Sequence, residues 1–179
     1  DVAFRLSGEL QPLYLEQIGG LTLTQIGLLS SFFSAAMMVT PLLSGRLADR
    51  YGERVPISGG FLVIFMALVV FLVAEDYPAF ILTWVLFGAG VGLLSPAYQS
   101  LISKVVPAHS LGLFNGLFQS SLGFLSLPAP WLGALLWERY NPRLPFLITA
   151  IVALVTVVPT WFKFRLSDPK PGSATPSPE

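Results

Sequence analysis

The sequence predicts an all-α integral membrane protein with six transmembrane helices, and three observations predict it. The 179 residues are 54% hydrophobic and 11% charged, with a mean hydropathy of +0.71, whereas a soluble domain carries about 25% charged residues. Apolar runs long enough to cross about 30 Å of hydrocarbon, roughly 20 residues each, recur along the chain. Short connections separate them, and these hold Gly, Pro, Asn and most of the charges.

The elements follow in order. Residues 1–18 read as a first, truncated span. Residues 24–46 form a second, uncharged over 25–45, with Thr22 or Thr24 placed as its N-cap. The third, 55–75, closes at Glu75 and Asp76; the fourth, 78–104, closes at Lys104. The fifth, 109–137, ends before Glu138 and Arg139, and the sixth, 143–164, is closed by Lys163 and Arg165. The stretch 167–179 is rich in Pro and Ser without an apolar period, which predicts a disordered cytoplasmic tail. The chain opens on Asp1 already inside hydrophobic helix, so it reads as a fragment of something longer and not as a signal peptide.

Composition also excludes function classes. Zero net charge leaves no basic face to follow a phosphate backbone, so nucleic acid is not an expected partner. With no Cys there is no disulfide framework or thiolate metal site. The single His109 leaves little to build zinc or histidine catalysis from, and no Gly-rich phosphate loop is present. No catalytic residue, metal ligand or cofactor is therefore expected.

Basic residues are retained on the cytoplasmic side of short loops. One set of ends carries Arg46, Arg50, Arg54, Lys104, Lys163, Arg165 and Lys170, and the other carries Arg139 and Arg143. This bias predicts a multi-pass protein of the plasma membrane with the 45–54 loop and the C-terminus cytoplasmic. Polar side chains concentrate in spans 1, 2, 4 and 5, whereas spans 3 and 6 are apolar all round. Intramembrane polar groups face protein or water, so spans 1, 2, 4 and 5 are expected to surround a cavity, with 3 and 6 outside against lipid. A faint repeat agrees: residues 27–41 can be laid on 116–130, with Ser31 on Ser120, an offset of three helices as in a three-plus-three inverted repeat.

The window Gly-Arg-Leu-Ala-Asp-Arg-Tyr-Gly-Glu-Arg at 45–54 gathers five charges in so apolar a chain. Gly45 would let a neighbouring helix approach closely. Asp49 sits unfavourably at its own helix C-terminus unless it caps a partner helix or pairs with a cation, for which Arg50 and Arg54 are candidates. Gly52 supports a tight turn. This window resembles the signature loop of the major facilitator superfamily of secondary transporters, matching it at Gly45, Leu47, Ala48, Asp49, Arg50, Gly52 and Arg54 and departing at Glu53, where a basic residue is usual. The resemblance implies that the chain is one six-helix half of a twelve-helix bundle, with the other half of the same polypeptide and the lipid bilayer as its partners. It also implies that Gly45, Asp49, Arg50, Gly52 and Arg54 gate alternating access. The 128–134 stretch, Pro-Ala-Pro-Trp-Leu-Gly-Ala, resembles a degraded form of the family's helix-5 antiporter element, with Ala129 and Ala134 where Gly is usual. Trp84 stands roughly where first halves often carry an Arg, which with the tail points to the C-terminal half.

Candidate residues for a solute or coupled-proton cavity are Arg5, Glu9, Tyr98, Gln99, Asn115 and Gln119. Asp1, Arg5 and Glu9 share one helical face at a spacing of four, drifting about 40° per step. Glu9 would then lie near the midplane as the titratable group, with Arg5 as its partner, or the pair would tie helix 1 to its neighbours. Asn115 and Gln119 form a similar pair, suited to a pore lining or to interhelical hydrogen bonds. Pro41, Pro96, Pro128 and Pro130 would interrupt helix hydrogen bonding as hinges or static kinks. The expected function is secondary transport of a small solute; the alternative is a non-transporting six-helix module that self-associates.

Overall fold

The computed structural model describes residues 2–163, and every regular element among them is helical. The predicted tail at 167–179 and Asp1 lie outside the described residues. The helices are α1 (Val2–Gly8), α2 (Gln11–Gln17), α3 (Leu23–Tyr51), α4 (Arg54–Val73), α5 (Tyr77–Val105), α6 (Leu111–Ser126), α7 (Ala129–Arg139) and α8 (Leu144–Lys163), with a short 3₁₀ turn at Ala108–Ser110. Four of them, α3, α4, α5 and α8, are long and apolar enough to cross a membrane.

The other two expected spans are each divided. The first breaks after Gly8, and α2 restarts with Pro12 in its first turn, where a missing N–H costs nothing. The fifth breaks at Leu127 and Pro128, because Pro128 and Pro130 remove two donors from one turn. Pro41 and Pro96, each alone, lie inside the unbroken helices α3 and α5. Of the two candidate N-caps for α3, Thr22 is used. Its hydroxyl accepts from the Gln25 N–H, and the Gln25 side chain accepts from the Thr22 N–H at 2.9 Å, a reciprocal capping box.

Between helices in lipid there is little hydrophobic drive, and close packing decides which faces meet. The central helix α5 packs on both α3 and α4, α4 packs in turn on α8, and α1 lies against α7 and α8. Glycine sets two of these approaches. A Cβ on Gly88 of α5 would run into the Phe33 carbonyl of α3, and a Cβ on Gly133 of α7 would run into the Leu6 carbonyl of α1. Extending the repeat offset by three residues pairs Ser44 with Gly133. Ser44 donates to the Leu93 carbonyl of α5 at 2.7 Å, while Gly133 abuts the Leu6 carbonyl of α1.

An aromatic cluster binds the end opposite the charged turn. The Tyr14 ring lies 4.8 Å from Phe71 and 5.3 Å from Phe146, and Phe71 lies 4.7 Å from Phe146 and 6.0 Å from Phe80. These four side chains, from α2, α4, α5 and α8, are fully buried.

The expected division into inner polar and outer apolar helices needs correction. Apolar α4 is the more enclosed, burying Ile57, Ile64, Ala67, Leu68 and Phe71 against α5 and α8 and exposing only a stripe through Leu62, Met66, Val69 and Val73. It is apolar all round because both of its environments, protein and lipid, are apolar. Polar α3, by contrast, leaves Ser30, Ser31 and Ser34 exposed, and α6 leaves Gln119, Ser120 and Ser121 exposed.

Candidate functional site

The charged turn joins α3 to α4. Gly52 ends α3 with φ +82° and ψ 160°, a backbone conformation that side chains rarely adopt. The chain then turns directly into α4, placing Glu53 beneath the end of α5. Glu53 is buried, and its Oε1 accepts from the Ser100 hydroxyl at 3.0 Å and from the Lys104 ammonium, both on the last turns of α5. Burial raises the Glu53 carboxyl, but the hydrogen bonds from Lys104, its own backbone and Ser100, with the Lys104 charge, outweigh burial and hold it below its ordinary value.

The neighbouring charges behave differently from what the sequence suggests. Arg54 lies 5.5 Å over the Trp161 ring of α8, and Arg50 lies 5.3 Å over the adjacent Tyr51 ring. Neither pairs with Asp49, which is exposed and makes no ion pair or hydrogen bond among the described residues. Among the described residues nothing comes within 4 Å of where a Gly45 Cβ would stand, so none of the described helices uses that gap. The turn therefore has two halves. Glu53 and Arg54 fasten α4 to α5 and α8, whereas Gly45, Asp49 and Arg50 present themselves outward.

The polar candidates in the spans are only partly brought together. The helix ends at Gly8, so the shared face expected for Arg5 and Glu9 does not extend across the break. Glu9 is exposed in the two-residue interruption between α1 and α2, and it too makes no ion pair among the described residues. The side chain of Arg5 lies outside the described set. Tyr98 and Gln99 are exposed on α5; the Tyr98 ring reaches α6 at Phe118, 6.2 Å away. Asn115 is half-buried and Gln119 exposed on α6. The Tyr98–Phe118 ring contact links α5 and α6 here, and neither Asn115 nor Gln119 makes a side-chain hydrogen bond among the described residues. No group of three or more His, Cys, Asp or Glu suited to a metal ion occurs among the described residues.

Sequence reasoning missed Glu53, Ser100, Lys104 and Trp161. One signal was available: Glu53 is where the turn departs from the resembled pattern, and Lys104 is the basic residue closing the span that follows.

Comparison with known proteins agrees with this architecture. The chain is 25% identical over 147 residues to the quinolone resistance protein NorA of Staphylococcus aureus strain MRSA252, covering 82% of this chain and 37% of that protein. NorA of strain Mu50 is 24% identical over the same share. An uncharacterised MFS-type transporter, MJ1560 of Methanocaldococcus jannaschii, is 22% identical over 153 residues, covering 86% of this chain and 39% of that protein. The chain thus spans under two-fifths of the length of the curated relatives it matches. A sequence model of the Major Facilitator Superfamily matches residues 4–179. Those residues hold the charged turn, the four long apolar helices and the small-residue contacts between them, and by that match this multi-pass membrane chain belongs to the Major Facilitator Superfamily.

Proposed function

We propose that the chain is one six-helix half, the C-terminal one, of a secondary transporter that moves a small solute by alternating access. On this reading α1 with α2, and α6 with α7, each make one interrupted crossing. The 45–54 turn and the C-terminus are cytoplasmic, and the membrane is the plasma membrane. The observation that carries the reading is the set of polar groups that no helix of this chain covers. Gln119, Ser120 and Ser121 on α6 stand exposed and make no side-chain hydrogen bond among the described residues, whereas intramembrane polar groups require protein or water. Ser30, Ser31 and Ser34 on α3 are exposed as well, with their hydroxyls donating to carbonyls of their own helix. A second six-helix half supplies that cover, and a water-filled cavity forms between the halves.

The outward part of the turn fits the same partner. Among the described residues Asp49 makes no ion pair or hydrogen bond and Gly45 meets no neighbouring helix, so the reading assigns them to a helix of the other half, with Asp49 capping its N-terminus. Rocking that breaks this contact exchanges the open side. Tyr98, Asn115 and Gln119 are assigned to the cavity wall, and Glu9, at a helix interruption, to a coupled proton. Interrupted helices are where transporters of this general kind hold substrates and ions.

The test is uptake or efflux by the complete protein in proteoliposomes, with a quinolone as the first solute because relatives are named for resistance to quinolones. Asp49→Asn should lower the rate strongly while leaving membrane insertion and yield unchanged. Wild-type transport by this variant overturns the gating role. A homodimer of this chain that moves no solute would replace the transporter by the self-associating module.

A further inference from the structure

We infer that the groove between the end of α7 and the start of α8 binds the phosphate of an anionic phospholipid. The groove has a volume of about 510 Å³ and is lined by Arg139, Tyr140, Asn141, Arg143, Leu144 and Leu147. That is room for a headgroup. The connections at this end of the bundle, opposite the charged turn, contain Arg139 and Arg143 as their basic residues, and both line this one groove.

Among the described residues neither guanidinium makes an ion pair. The acidic residues at this end, Glu16, Glu75, Asp76 and Glu138, are all exposed, and the ion pair among the described residues, Glu53 with Lys104, lies at the other end. Arg143 is held in place: its backbone N–H donates to the Asn141 side-chain oxygen at 2.8 Å, and its Nε donates to the Tyr14 hydroxyl at 3.3 Å. Tyr14 is itself locked in the buried aromatic cluster. A guanidinium fixed through Nε keeps its terminal N–H groups available for an acceptor, and the planar fork suits phosphate oxygens.

The lower wall decides between a lipid and a free phosphate ester. Leu147 is the first of an exposed apolar stripe on α8 that continues through Ile151, Leu154, Val158 and Trp161. At a spacing of three to four residues these share one helix face, which runs from the groove along the spanning length of α8. A headgroup between Arg139 and Arg143 therefore leaves its acyl chains lying on this stripe. A soluble phosphate ester would leave the stripe unused.

The experiment offers the complete protein in detergent equal amounts of phosphatidylglycerol and phosphatidylcholine of matched chains, and reads retained lipid by native mass spectrometry. Phosphatidylglycerol should be retained in preference. Arg139→Gln should lower its retention about ten-fold, the effect of one charged hydrogen-bonded contact, and should leave phosphatidylcholine unchanged. Arg143→Gln should do the same, with Arg139→Gln as the variant that leaves the Tyr14 contact intact. Equal retention of the two lipids, or an unchanged preference in Arg139→Gln, overturns the site. Displacement by millimolar glycerol 3-phosphate or inorganic phosphate as effective as that by phosphatidylglycerol overturns the lipid assignment.

Discussion

The Glu53 carboxylate accepts hydrogen bonds from Lys104 and Ser100 and thereby fastens the start of α4 to the end of α5. The two sides of this pair are unequal. Glu53 is 8% exposed, while the Lys104 side chain is 53% exposed. Removing the lysine leaves a buried carboxylate with only Ser100 and its own backbone N–H, whereas removing the glutamate charge returns a lysine to water. Lys104→Met should therefore cost about 1–3 kcal/mol at neutral pH and Glu53→Gln only about 0.5–1 kcal/mol. Thermal unfolding of the detergent-solubilised protein measures both; equal losses would mean that the burial of Glu53 does not matter.

The same pair sets a pH dependence. The folded carboxyl is held below its ordinary value, so its contribution is fully present above the unfolded-state value, roughly 4.3. It is lost as pH falls through the lower folded value. Stability from this source should be flat between neutral pH and about 5 and decline on further acidification. Glu53→Gln should remove that part of the acid-side decline in a melting series across pH. A variant with an unchanged acid limb shows that other carboxylates govern it.

Close approach of helices gives a second contrast. Ala at Gly88 or Gly133 places a Cβ against the carbonyl of Phe33 or Leu6, and backbone cannot yield as a side-chain tip can. Each substitution should cost about 1–3 kcal/mol. Ala at Gly27 of α3 or Gly59 of α4 meets nothing within 4 Å and should be neutral or stabilising by up to about 1 kcal/mol. Melting temperatures of the four variants, measured side by side, check the ordering.

What could be read from the sequence follows from which forces are local. The four longest apolar runs lie in the long helices α3, α4, α5 and α8, because a hydrocarbon slab imposes length and composition on any single helix, although α3 continues past residue 46 through the charged window to Tyr51. The Phe-bearing runs supplied Phe71, Phe80 and Phe146 to one packed cluster. Both interruptions carried a proline signal: Pro128 at one, and at the other Pro12, whose ring excludes the carbonyl four residues earlier, that of Gly8, where α1 ends. Ion partners were the least legible. Asp49, Arg50 and Arg54 sit within six residues and suggested pairing with one another, yet partners were chosen by how α4 lies on α5 and α8. That geometry brings Glu53 to Lys104, 51 residues away, and Arg54 to Trp161. The polar side chains of α3 and α6 are exposed in this chain, and on the proposed function their composition reflects cover supplied by the other half.

The two turn glycines, finally, should respond for different reasons. Gly52 has φ +82° with open space around it, so Gly52→Ala adds no clash but forces a side chain into backbone territory that costs about 1–3 kcal/mol. That loss belongs to the chain and should appear in its thermal unfolding. Gly45 is helical with nothing among the described residues near its missing Cβ, so Gly45→Ala should leave the unfolding of this chain unchanged or raise it slightly. On the proposed function a helix of the other half would pack at Gly45 in the complete protein, and there the same substitution should lower transport. A Gly45→Ala variant that transports normally would show that no partner helix comes close at that position, and Asp49 would then need another use.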